Sequence, residues 1–293
     1  MDTLRAIFLM ILAMALLAGT DTFIKLSTQV ASIGQTMLLL SVGGTLLFIL
    51  LARLRRVAIF TADALHPMIF LRNALEIVAA VGMIVGVANT SLPVFAAITQ
   101  AGPLVVTMGA ALFLGEEVGW RRWLAVIVGL IGMLIVIRPF GASFTGWELF
   151  AVMGITALSA RDLVTRLSPL HVPALAISTW GFMATIIPGL ILLAMAERPL
   201  TTDPATLWFI LGAVFVTTAG YLSITTAMRM APASIVSPFR YTRLIFATLL
   251  SIVVFGVWPD TWTLVGGALI LGAGLYSFLR ERRLARVAVS GDR

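Results

Sequence analysis

Cysteine is absent, so the chain has no disulfide framework and no thiolate metal or redox site. Histidine is almost as scarce. His66 and His171 both lie near prolines at the edges of apolar stretches, which argues against a histidine metal cluster. No metal and no cofactor are expected. Charge is thin as well, at 11% of 293 residues against 60% hydrophobic, with a mean hydropathy of +1.06. A soluble domain of this length has too few polar side chains to cover so much apolar surface. One membrane-crossing helix needs roughly 20 apolar residues, so ten would consume about 200 and leave short loops. No room remains for a separate soluble domain.

The net charge is +7, but the basic residues sit between apolar stretches or in the tail Arg280, Arg282, Arg283 and Arg286. That is the pattern of membrane flanks and excludes a nucleic-acid groove. Continuous apolar segments fall at about 4–25, 33–53, 67–88, 93–114, 120–137, 147–166, 173–196, 206–228, 232–255 and 260–279. The first resembles a secretory signal, but its end has a counterpart in the second half, so it is read as a retained helix. With the amino terminus inside, Arg5, Arg53, Arg55, Arg56, Arg72, Arg121, Arg122, Arg166, Arg229 and the tail collect on the inner side. Lys25, Arg138 and Arg198 collect outside. This asymmetry predicts that both termini are cytoplasmic.

A repeat organises the chain. Asp21-Thr-Phe-Ile-Lys25-Leu26-Ser27 returns 141 residues later as Asp162-Leu-Val-Thr-Arg166-Leu167-Ser168. The same offset links Gly115 to Gly256, and Pro93 matches Pro232 at an offset of 139. Helices five and ten are both glycine-rich. Five helices per half is an odd number, so the second half enters the membrane from the opposite side. The sequence therefore predicts an all-α membrane protein of ten transmembrane helices, as two inverted five-helix repeats. Residues 1–140 form the first repeat, 141–282 the second, and 283–293 a basic cytoplasmic tail. Inverted repeats of this kind place a transported substrate near the midplane, between the halves.

With the duplicated layout, Lys25-Leu26-Ser27 after helix one and Leu114-Gly115-Glu116-Glu117 after helix four, the sequence resembles the drug/metabolite transporter superfamily over nearly its whole length. The likeness is to its EamA-type ten-helix members, and within them to the bacterial aromatic amino-acid exporter group. The acidic residue is missing from the second half, where Val257 follows Gly256. Related small multidrug pumps carry a glutamate eight residues before the helix-one lysine. Leu17 and Leu158 stand at the equivalent positions here, so their proton-for-drug exchange is not expected.

Polar groups at membrane depth are the candidate site residues. Arg240 and Arg243 lie about 8 and 11 residues into helix nine, roughly 12 and 16 Å along it, on one face. Either can fork onto a substrate carboxylate, or pair internally with Glu76. Glu76 stands four residues after Arg72, which favours an internal salt bridge over a grip on a substrate ammonium. Thr99, Gln100, Pro103 and Thr107 form a helix-four stripe, and Pro103 frees the carbonyl of Thr99. Pro238 does the same to Ser234 in helix nine, so Pro103 and Pro238 are expected as helix breaks lining a cavity, or as packing kinks. Thr218, Tyr221 and Thr225 make a stripe on helix eight that either lines the cavity or glues helices. Trp180 is read as a substrate wall or an interface anchor. Asp21–Lys25 and Asp162–Arg166 are read as i, i+4 structural pairs, and Gly82-x-x-x-Gly86 as a close-packing surface.

The reading that follows is an inner-membrane exporter of amino acids, aromatic and other apolar ones, working by alternating access. An exporter of another small metabolite or drug, or a non-transporting membrane subunit, are the alternatives. No enzyme is expected, because no clustered nucleophile, metal set or catalytic carboxylate pair is visible. The expected partners are a small zwitterion and the lipid bilayer, and a monomer is compatible with the sequence.

Overall fold

The computed structural model describes residues 2–115, 119–141, 144–169, 171–231 and 236–291. Side chains are excepted at Asp2, Arg166, Thr225, Met228, Arg229, Ser237, Pro238 and 281–291. Every regular element of the described chain is helical, with no strand among the described residues. The helices are α1 Asp2–Val30, α2 Ile33–Leu54, α3 Pro67–Asn89, α4 Leu92–Thr99, α5 Gly102–Phe113 and α6 Trp120–Ile137 in the first half. The second half holds α7 Glu148–Arg166, α8 Ala174–Ala184, α9 Ile186–Ala194, α10 Pro204–Met230, α11 Thr242–Phe255 and α12 Thr261–Gly291. The pairs α4–α5 and α8–α9 are each one broken span, and a 3-10 turn over Ser237–Tyr241 leads into α11. Ten spans result.

Local chemistry sets the boundaries. Ser32 caps α2 by accepting from Gln35 N at 3.1 Å. Asp203 caps α10 by accepting from Thr206 N at 2.8 Å. Proline opens α3 and α10 where a missing N–H costs nothing. Gly115 and Gly256, matched by the repeat, both end their spans at positive φ, 65° and 66°. That left-handed turn is easy only for glycine, which explains why the same residue stands at both places.

Eight described stretches are long and apolar enough to cross a membrane by themselves. The other two spans fall short for identifiable reasons. α7 carries Glu148, Arg161, Asp162 and Arg166, and α11 has only 14 residues. Both are packed against neighbours along one face. α7 packs on α3, α4 and α5, while α11 packs on α1 and α4.

Packing follows the repeat. α1 lies on α10 as α3 lies on α7, α1 meets α11 as α7 meets α4 and α5, and α2 touches α10 as α3 touches α8. The pairs α2 with α8–α9, α4 with α11, and α6 with α12 map onto themselves. Exchanging spans one to five for six to ten therefore maps these contacts onto one another. Glycines make the tight crossings, as their sequence spacing predicts. A Cβ on Gly82 would meet the backbone of Gly154, and one on Gly132 would lie 2.8 Å from Gly266 O. α12 continues to Gly291, so the helix runs into the stretch expected as a tail.

Candidate functional site

A cavity of about 160 Å³ opens between the two halves. α1 supplies Asp21 and Ile24, α2 Met37 and Leu40, and α3 Glu76 and Met83. Phe95 comes from α4, Phe182 from α8 and Thr217 from α10. The walls are mainly apolar and aromatic, with two carboxylates set into them.

Both carboxylates are held by arginines. Arg243 Nη2 reaches Asp21 Oδ1 and Oδ2 at 3.0 and 2.7 Å, and Asp21 is buried. Glu76 Oε2 receives Arg72 Nη2 at 2.7 Å from its own helix and Arg161 Nε at 3.1 Å from α7. Arg161 also holds Asp162 at 2.9 Å. Arg72 is buried behind Gly181, where a Cβ would collide with its guanidinium. None of the three arginines lines the cavity.

Hydroxyl pairs close the rest of the wall. Thr20 and Thr217 share a hydrogen bond of 3.0 Å, and Ser41 and Thr185 share one of 2.8 Å. Thr185 stands where the seventh span breaks, three residues before Pro188. Proline cannot donate to the preceding turn, so the chain kinks and turns Thr185 toward the cavity.

Of the residues singled out from sequence, Glu76 stands on this wall, together with the Arg72 salt bridge expected for it. The others are placed differently. Arg240 and Arg243 do not share a face toward a substrate. Arg240 sits in the 3-10 turn with its side chain exposed, and Arg243 grips Asp21. The tighter turn before α11 changes the angle between them from the one a continuous α-helix would set. Gln100 is buried and donates to Arg240 O at 3.2 Å, joining the fourth and ninth spans away from the cavity. Thr99 donates to Ala96 O at 2.9 Å.

Helix four does break ahead of Pro103, but Pro103 is exposed and does not line the cavity. Pro238 lies in the 3-10 turn, its side chain and all of Ser234 falling outside the described residues. On α10 the cavity is faced by Thr217. Thr218 turns back to Val214 O at 2.9 Å, and Tyr221 meets the Ser178 hydroxyl and the edge of Phe48. Thr225 lies outside the described side chains. Trp180 is buried, its indole N–H donating to Ile59 O at 3.0 Å, and the aromatic wall is its neighbour Phe182.

Asp21 and Lys25 are not paired. The Lys25 ammonium donates to the carbonyls of Val87, Ala88 and Thr90 at 3.2, 3.3 and 2.6 Å, capping the end of α3. Arg166 lies outside the described side chains, so its pairing with Asp162 does too. Sequence reasoning missed Asp21, Phe182 and Thr185 as wall residues. Two signals for them were legible: a carboxylate in a membrane span, and Pro188 within the seventh.

Ten spans in two five-helix repeats, enclosing a cavity between the halves, define a membrane transporter. Residues 4–138 and 145–279 each match the EamA-like transporter family, and the chain belongs to that family. It is 32% identical to a riboflavin transporter of Rhizobium johnstonii over 72% of this chain and 70% of that protein. It is 25% identical to an S-adenosylmethionine uptake transporter of Rickettsia bellii, over 62% of each. A pseudopaline exporter of Pseudomonas aeruginosa is 26% identical over 93% of this chain and 96% of that protein. A solved crystal structure aligns with a TM-score of 0.65 over 97% of this chain and 98% of its own, at 18% identity, which shows a shared fold.

Proposed function

We propose that the protein carries a small, uncharged heteroaromatic metabolite of the flavin type across a bacterial inner membrane. The two repeats alternate access to the central cavity, and both termini are cytoplasmic. The observation that carries this reading is the cavity itself: Met37, Leu40, Met83, Phe95 and Phe182 form an apolar and aromatic part of its wall beside the hydroxyls of Thr20, Ser41, Thr185 and Thr217, and both its carboxylates are tied to arginines. An aromatic ring gains by leaving water for such walls. The similarity to the R. johnstonii riboflavin transporter supports this choice. Amino-acid export finds less support. The similar transporters reported above are named for other substrates, and Arg243, expected to grip a substrate carboxylate, is held by Asp21.

Proteoliposomes holding only this protein test the reading. Riboflavin uptake followed by fluorescence should be saturable, and should be weakened by Phe182→Ala. Tryptophan and S-adenosylmethionine should compete poorly. Transport of tryptophan with none of riboflavin would overturn the flavin reading and restore the amino-acid one.

A further inference from the structure

Among the described side chains, the charges in contact with the cavity carboxylates form two separate neutral groups. Asp21 is balanced by Arg243, and Glu76 and Asp162 are balanced by Arg72 and Arg161. The carboxylates Asp21 and Glu76 form part of the wall, while the arginines stand behind it. Arg243 reaches Asp21 from α11, on the other half of the molecule. Arg161 likewise reaches Glu76 across the repeat boundary. Arg72 is seated in the space left by Gly181 and donates to Asn73 Oδ1 at 2.9 Å and to Ile177 O at 3.3 Å. These guanidiniums are positioned by the protein and need no substrate to hold them.

A charge left over in a low-dielectric cavity attracts an opposite charge far more strongly than one at a water-exposed surface. We propose that Arg243, Arg161 and Arg72 set the charge class of the substrate: from behind the wall they cancel its carboxylates, so the cavity takes uncharged molecules and becomes a cation site when one of them is withdrawn. Conversely, withdrawing Asp21 leaves Arg243 unbalanced and makes an anion site. The proposal rests on the cavity being the substrate site, but not on which uncharged metabolite it carries.

Binding of two aromatic probes to purified protein tests it, tetraphenylphosphonium as the cation and 2-naphthoate as the anion. Arg243→Gln should bind tetraphenylphosphonium about tenfold or more tightly than the parent, because an unbalanced carboxylate then faces the cavity. Arg161→Gln removes one of the two guanidiniums on Glu76 while Arg72 keeps the other, and should give a smaller gain for the same probe. Asp21→Asn should instead gain affinity for 2-naphthoate. The double variant Asp21→Asn, Arg243→Gln should return both probes to the parent's weak binding.

Arg161→Gln and Asp21→Asn are independent of Arg243→Gln, so failure of one variant to fold leaves the others to decide. Folded single variants that keep the parent's probe preference would overturn the proposal. So would a double variant that keeps the gain. Loss of riboflavin transport by the parent would sink the flavin reading and leave these results untouched.

Discussion

Thr20 and Thr217 share a hydrogen bond of 3.0 Å between α1 and α10, and the 141-residue repeat carries this contact onto the ion pair of Arg161 with Glu76 at 3.1 Å. Arg161 is the counterpart of Thr20, and Glu76 is that of Thr217. One seam between the halves is thus closed by neutral hydroxyls, and its image by charge. The repeats share a fold while their chemistry at the cavity has diverged.

The two seams should differ in their response to substitution. Glu76→Gln leaves Arg72 and Arg161 without their shared partner and should cost about 3 kcal/mol. Thr217→Val removes one neutral hydrogen bond and should cost about 1 kcal/mol. Unfolding in mild detergent, followed by circular dichroism, measures both. Equal losses would mean that the ion pair is no stronger a closure than the hydroxyl pair.

The glycine seam between α6 and α12 gives a second contrast. Gly132→Leu forces a side chain toward Gly266 O, where even a Cβ would lie at 2.8 Å. It should destabilise by about 1–3 kcal/mol or prevent folding. Gly272 has open space where its Cβ would stand, so Gly272→Ala should change stability by about 0.5 kcal/mol or less. Thermal midpoints of the purified variants compare the two directly.

Absence of cysteine makes the orientation easy to check. Phe60, between α2 and α3, and Phe140, after α6, are both largely exposed. In intact cells, Phe140→Cys should react with a membrane-impermeant maleimide, and Phe60→Cys only after lysis. The opposite result would invert the topology, and labelling of both from outside would break the five-span count of the first half.

Helix α10 should respond to acid through its cap. Asp203 accepts from the Thr206 hydroxyl and from the Thr206 backbone N–H, and these bonds hold its carboxyl below the ordinary value of 3.8. A carboxyl lowered on folding stabilises the folded state above its unfolded value, and this contribution disappears as pH falls through the folded value. Asp203→Asn should therefore have a lower thermal midpoint than the parent at pH 7, and the difference should shrink toward pH 3. A gap that stays constant with pH would show that the cap does not act through its charge.

The sequence alone determined the number and order of the spans, the repeat and the glycine crossings. Each follows from composition over one turn or one helix. A run of apolar residues, a proline without its N–H, or a glycine free to take positive φ acts wherever it stands in the chain. The break before Pro103 was legible for that reason, and the repeat paired Gly115 with Gly256, whose positive φ the structure then showed. Tertiary structure decided the partners and the facing of side chains. Asp21 had Lys25 one turn away, yet it pairs with Arg243, 222 residues on. The packing of α11 on α1 brings that guanidinium to it, while the carbonyls at the end of α3 receive the lysine. Helix rotation is equally non-local: about 100° separates neighbouring residues, and contact with α1 turns Thr217 rather than Thr218 to the cavity. Pairing across a bundle depends on which helices lie side by side and how each is rotated, and no local pattern along the chain records either.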